Sequence, residues 1–280
     1  MIELGKKQIL YIDHKADFGV YLCEYEELNK HADCVLLPLK QVPAQAKNGD
    51  PVEVFIYRDS DDRLIATTHV PALTLGELAV LEVAEINKVG AFLKWGLEKD
   101  LLLPYSEQTV KVKKGDKYLV ALYTDKSERL CATMKIYDYL STDSPYKPED
   151  HVQGIVYGRN QKLGVFVAVD QKYNALIPQR EVIRNFRIGD TVEARILEVR
   201  DDGKLNLSLR EKGYVQMDLD SEIIMKKLSE YQGFLPYHDK SSPDEIREEF
   251  KMSKNEFKRA IGRLYKSRKI SIGSDGIRLL

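Results

Sequence analysis

The sequence predicts a mainly β, multidomain chain: three small five-stranded barrels in tandem, followed by an α+β domain of three helices and a hairpin. Two observations carry this. Three times a proline is followed eleven residues later by Gly-Asp, at Pro38 and Gly49-Asp50, Pro104 and Gly115-Asp116, and Pro178 and Gly189-Asp190. Each proline closes an apolar run and each Gly-Asp opens a β-rich one, so one β module is made three times. After Gly213 the hydrophobic period then changes from two to about 3.6.

In the first copy, runs at 8–12, 18–22, 34–38, 52–57 and 64–67 are rich in β-branched and aromatic residues, which fit a pleated, half-buried surface. The second copy repeats them at 79–83, 89–93, 101–104, 118–122 and 130–133, and the third at 152–156, 163–169, 175–178, 191–199 and 204–209. Turn residues such as Asp59, Asp61, Asp62 and Asp201-Asp202-Gly203 precede each last strand. Gly19, Gly90 and Gly164 fall in the second run, where a strand coiling around a small barrel needs a residue without Cβ. Five strands in this order match the OB architecture, an oligonucleotide-binding barrel. The modules are expected at 1–68, 72–138 and 151–212. Units of this size bury only about 60% of their extended surface, so they are expected to lean on their neighbours. Residues 141–150, with Pro145 and Pro148, read as a linker of some stiffness.

The C-terminal elements follow from capping. A first helix is expected from about Ser221, ended by Gly233. Ser242-Pro243-Asp244-Glu245 and Ser253-Lys254-Asn255-Glu256 are Ser-x-x-Glu starts for helices over 243–250 and 254–268. A hairpin of 269–272 and 277–280 turns at Gly273-Ser274-Asp275-Gly276. Three helices and a terminal hairpin make the winged-helix variant of helix-turn-helix, expected over 216–280. The whole reads as three tandem five-stranded OB barrels followed by an α+β winged-helix domain.

The 43 basic and 44 acidic residues are unevenly spread. Residues 1–70 hold eight basic and twelve acidic residues, a net −4; 71–140 are neutral, 141–214 carry +1 and 215–280 carry +2. Residues 251–269 hold eight basic residues against Glu256 alone, a net +7 on the third helix, where a winged helix meets phosphate. A polyanion is therefore expected on the half from 141 to 280. Cys23, Cys34 and Cys131 have no metal or redox spacing and read as thiols of a reducing cytosol. His14, His31, His69, His151 and His238 are scattered and read as surface or turn residues. Neither converging carboxylates nor a Gly-rich phosphate loop is present, which argues against an enzyme, a metal or a cofactor. No apolar run approaches about 18 residues, so no membrane span is expected and the place expected is the cytoplasm.

The third copy resembles the RNA-binding OB repeat of ribosomal protein S-one, through Gly154, Gly164-Val165-Phe166-Val167, Ala175-Leu176-Ile177-Pro178-Gln179-Arg180-Glu181, Gly189-Asp190 and Leu207-Ser208-Leu209. The resemblance implies single-stranded RNA crossing the face of strands two and three. By position it places stacking residues at Phe18 and Tyr21, at Val89 and Phe92, and at Leu163 and Phe166. A basic residue falls at Arg63, Arg129 and Lys204, and the histidine of the repeat falls on Pro38, Pro104 and Pro178. Only the first copy keeps two aromatics, and none keeps the histidine. The third copy offers the fullest surface, with Phe166, Tyr157, Arg159, Lys162, Arg200 and Lys204; the third helix adds Lys254, Lys258, Arg259, Arg263 and Lys266. Three such repeats and a winged helix also resemble, over nearly the whole chain, the conserved virulence factor B family of Gram-positive bacteria, which implies a cytoplasmic RNA-binding regulator of the expression of other genes. The modules leave two alternatives open: a DNA-binding transcription factor working through the winged helix, and a ribosome- or protein-binding scaffold with degenerate repeats.

Overall fold

Strands β1 (Lys7–Ala16), β2 (Gly19–Cys23), β3 (Val35–Pro38), β4 (Pro51–Arg58) and β5 (Leu64–Thr67) close into a barrel in the order β1-β2-β3-β5-β4. The computed structural model describes residues 1–27, 33–210 and 213–280; His31 and the expected end of the third module at 212 lie outside them. Strands β11 (His151–Asn160), β12 (Gly164–Val169), β13 (Tyr173–Pro178), β14 (Thr191–Val199) and β15 (Leu205–Ser208) close a barrel of the same order. Between them β6 (Leu78–Ile86), β7 (Gly90–Lys94), β8 (Leu101–Pro104), β9 (Lys117–Thr124) and β10 (Leu130–Thr133) form a five-stranded sheet ordered β10-β9-β6-β7-β8, the same ring with one seam left unpaired.

The recurring proline and glycine are cross-strand partners. Gly19 lies opposite Pro38, Gly90 opposite Pro104, and Gly164 opposite Pro178. A Cβ on Gly19 would stand 2.0 Å from the Leu37 carbonyl oxygen, and one on Gly164 2.0 Å from that of Ile177. The glycine therefore admits the backbone of strand three as well as letting strand two bend. The first strand of each copy bulges at one place, between Ile12 and His14, between Val83 and Glu85, and between Val156 and Gly158.

Alternation along strand four shows what the copies do to one another. In β4, Val52, Val54 and Ile56 point into the first barrel's core with Leu10, Leu22 and Leu37. Phe55 points the other way yet is only 2% exposed, because it enters the second barrel's core, its ring edge-on to Trp95 at 5.8 Å. Leu119 and Ala121 on β9, the positions of Glu53 and Phe55, pack with Ile136, Leu140, Tyr157 and Ala168 in a cluster shared by the second and third barrels. The corresponding positions of β14 are Glu193 and Arg195, and Arg195 pairs with Glu149 at 2.8 Å. The copies thus lean on their neighbours through the outward face of strand four.

The stretch 141–150 is not a free linker. Ser141 bridges Tyr173, the Asn174 amide donates to the Ser141 carbonyl, and the Tyr146 hydroxyl donates to Asp170. Tyr146 also packs on the third barrel's core, so the prolines shape a docked strap.

Residues Met1–Leu209 form one unit and Arg210–Leu280 another. The second holds helices α1 (Gly213–Glu230), α2 (Pro243–Phe250) and α3 (Lys254–Lys266), and strands β16 (Phe234–Leu235), β17 (Ile270–Ile272) and β18 (Ile277–Leu279) in the order β16-β18-β17. Both expected capping boxes form: Ser242 accepts from the Glu245 amide and Ser253 from the Glu256 amide, and each glutamate accepts from the serine's own amide. Ile224, Leu228, Ile246, Phe250, Phe257, Ile261 and Leu264 make the core. Helix α1 begins eight residues before the expected Ser221. Strand β16 was not expected from the sequence, since two residues give no period. Among the described residues no helix is long and apolar enough to cross a membrane.

Candidate nucleic-acid interface

The bulge in the first strand sets one outward row in every barrel. It runs His14, Tyr21, Leu36 in the first, Glu85, Phe92, Leu102 in the second, and Gly158, Phe166, Leu176 in the third. Tyr21, Phe92 and Phe166 are all half-buried at this shared position. The face of strands two and three is thus repeated, with an aromatic at its centre. What lies beside that aromatic differs in each barrel.

In the first barrel the face is aromatic. The His14 ring stacks on Tyr21 at 4.8 Å and 20°, and its Nδ1 lies 2.7 Å from the buried Asp13 carboxylate. His14 is therefore part of the face, on strand one across Tyr21 from Leu36 of strand three. Phe18 precedes the constricted Gly19 and is 76% exposed. Arg63 is held by Asp59, its Nη2 at 2.7 Å, and by Asp61 at 2.9 Å.

In the second barrel the face is roofed by the first. The turn between β4 and β5 lies over Phe92 and Leu102, leaving a cleft of about 270 Å³ that Trp95 and Leu130 also line. Arg129 is paired with Asp62 of that turn, and Arg58 with Glu128 at 3.4 Å. The hydrogen bond from Arg129 holds the Asp62 carboxyl below its usual value. The basic residue at this position thus already faces an acid sixty-seven residues away in the chain.

In the third barrel Tyr157 is corrected from surface to core. As the bulge residue it turns into the cluster between the second and third barrels, 8% exposed, with its hydroxyl 3.3 Å from the Asn174 side chain. Burial raises its pKa and keeps it neutral. Phe166 lies over it at 5.9 Å, half-buried against the same cluster. Arg159 donates to the Phe186 carbonyl at 2.7 Å, and Lys162 is exposed. Lys204 and Arg200 share Asp202 at 2.9 and 3.3 Å. Lys204 also sits over the ring of Tyr137, 5.6 Å from its centroid. Tyr137 and Asp62 had no part in the expected site, because each reaches it from the preceding copy and no spacing within one repeat encodes that.

Helix α3 is different. Phe257, Ala260, Ile261 and Leu264 face the core, and Lys258, Arg259, Arg263 and Lys266 are exposed, with Lys254 half-exposed at the first turn. Among the described residues Lys254, Lys258, Arg259 and Lys266 make no ion pair. Gly262 lies between them, and a Cβ there would meet nothing within 4 Å. Arg63, Arg129 and Lys204, at the barrels' basic positions, are each paired with a carboxylate, while Lys254, Lys258, Arg259 and Lys266 of α3 are open to an external anion.

The described residues contain no group of three or more His, Cys, Asp or Glu that could hold a metal ion. Burial raises the Cys23 thiol to about 12 and the Cys131 thiol to about 11, so neither is a nucleophilic thiolate.

Four segments of the chain match family models. Residues 4–69 and 75–135 each match the S1 domain, the repeat of ribosomal protein S-one; residues 140–211 match the second domain of virulence regulatory factor CvfB, and 222–279 the CvfB-like winged helix domain. The chain is 35% identical over 276 residues to the uncharacterized protein YitL of Bacillus subtilis, covering 95% of this chain and 90% of that one. It is 32% identical over 240 residues to conserved virulence factor B of Staphylococcus epidermidis, covering 82% and 80%. A crystal structure of a multidomain protein with nucleic acid binding domains from Streptococcus pneumoniae is similar at 27% identity and a TM-score of 0.51, covering 99% of this chain and 98% of that one. With relatives of this identity along most of its length, the chain belongs to the conserved virulence factor B family.

Proposed function

We propose that this chain is a non-catalytic, cytoplasmic protein that binds single-stranded RNA and regulates gene expression after transcription, virulence factors among its targets. The observation that carries the reading is the repeated aromatic: Tyr21 and Phe166 sit half-buried at one register position of the OB face, the position that Phe92 fills under the β4–β5 turn. A ring held at the centre of such a face is a platform for an unpaired base, and stacking contributes roughly 1–3 kcal/mol per base whatever the sequence. Phe18 adds an exposed ring in the first barrel, and Lys162, Arg200 and Lys204 are cations of the third. The modules carrying the function are 1–68, 72–138, 151–212 and 216–280. The names of the relatives support the regulatory part.

A second reading, duplex DNA or a ribosomal helix bound through the winged helix, is favoured by Lys254, Lys258, Arg259 and Lys266 of α3, which make no ion pair among the described residues. One titration separates the two. An unstructured RNA and a duplex DNA of equal length are each bound at two salt concentrations. The first reading expects RNA to bind more tightly, with a salt slope reflecting the phosphates neutralised. Preference for the duplex would replace it with the second, and binding of neither would leave a protein-binding scaffold.

A further inference from the structure

The third barrel lacks one aromatic of its repeat, since Leu163 stands where the first barrel has Phe18. Its cleft is completed from outside. The 3-10 turn Tyr137–Tyr139 follows the last strand of the second barrel, and Tyr137 lines a cleft of about 380 Å³ together with Lys135, Gly158, Arg159 and Phe166. Its neighbours fix it there: Ile136 is fully buried and Leu140 nearly so in the cluster shared by the two barrels, while the Tyr137 ring between them is 47% exposed. Lys204 caps the ring from the last-strand side, and its bonds to Asp202 and then to Tyr137 keep the ammonium charged.

We propose that Tyr137 and Phe166, which line one cleft, form a composite base-binding site for one nucleobase of a single strand, in which the turn after the second barrel adds a ring to the third barrel's face. This rests on the RNA-binding reading above. The physical case is pre-organisation. Both rings are anchored by buried neighbours, so little side-chain entropy is lost when a base enters. Lys204, paired with Asp202, lies against the Tyr137 ring and helps to hold it in place. The site forms once: the residue of the first barrel corresponding to Tyr137 is Pro71, and the second barrel's face is roofed by the β4–β5 turn instead.

The test uses the full chain and a fluorescein-labelled unstructured oligouridine, read by anisotropy. Tyr137→Ala is expected to weaken binding about fivefold or more, the equivalent of at least about 1 kcal/mol. Tyr137→Phe keeps the ring and is expected to stay within about twofold. Tyr105→Ala removes a similarly exposed ring of the second barrel and is expected to change nothing. With 4-thiouridine in the RNA, crosslinks are expected on the peptide containing Tyr137, a readout that a purely structural role would not produce. If the native chain binds but Tyr137→Ala, folded by circular dichroism, binds equally well, the composite site is wrong and the RNA reading stands. If the native chain does not bind the RNA, both fall.

Discussion

Replacing Phe55 by alanine isolates what joins the first barrel to the second. The side chain points away from its own barrel's core, which Val54 and Ile56 fill, and is buried in the neighbour's core against Trp95. A fully buried Phe→Ala change costs about 3–5 kcal/mol, within which an edge-on aromatic pair accounts for about 0.5–1.5 kcal/mol. Trp95 is the single tryptophan of the chain, so its fluorescence reports on the second barrel's core that Phe55 enters. With a urea dependence of about 2 kcal/mol per molar, the Trp95 transition should fall by about 1.5–2.5 M. Glu53→Ala, two residues away on the same strand and exposed, should leave it within the roughly 0.5 kcal/mol of a surface change. A drop below about 0.3 M for Phe55→Ala would mean that the barrels are joined by something other than the outward face of strand four.

Two other perturbations test separate parts of the molecule. Gly262→Ala adds a methyl group in open space on α3 and exchanges a poor helix former for the best one, a gain of about 0.8–1.0 kcal/mol. The melting of the winged-helix unit should rise by about 4–8 °C by calorimetry; a fall would show that the helix is strained there. The Asp62 carboxyl is held below its ordinary value of 3.8 by Arg129. A depressed carboxyl contributes stability above its unfolded value and loses it as pH falls through the folded one. Asp62→Asn should therefore lower stability at neutral pH and flatten its decline below about pH 4. An unchanged acid limb in urea titrations would show that this ion pair does not hold the turn over the second barrel.

Local chemistry made much of this chain legible in order. The Pro and Gly-Asp spacing gave three copies, because a five-stranded barrel needs the same turns and the same Cβ-free approach each time it is made. The Ser-x-x-Glu boxes placed α2 and α3 to within a residue or two, since a cap is a contact between residues three apart. Helix α1 was placed late, because no Ser-x-x-Glu box marks its start. No local spacing told what Phe55 meets. That needed the fold. The outer face of a barrel is covered by whatever the chain brings back to it, and the contacts that cover it here join residues about seventy apart: Arg129 with Asp62, Lys204 with Tyr137. Thus Tyr157 is buried between the second and third barrels, the strap 141–150 is packed on the third, and Arg63, Arg129 and Lys204 already have partners. The sequence by itself determined the modules and their inward faces, since these depend on neighbours a few residues apart. The tertiary structure alone decided which outward faces stay open, since that depends on one module meeting the next.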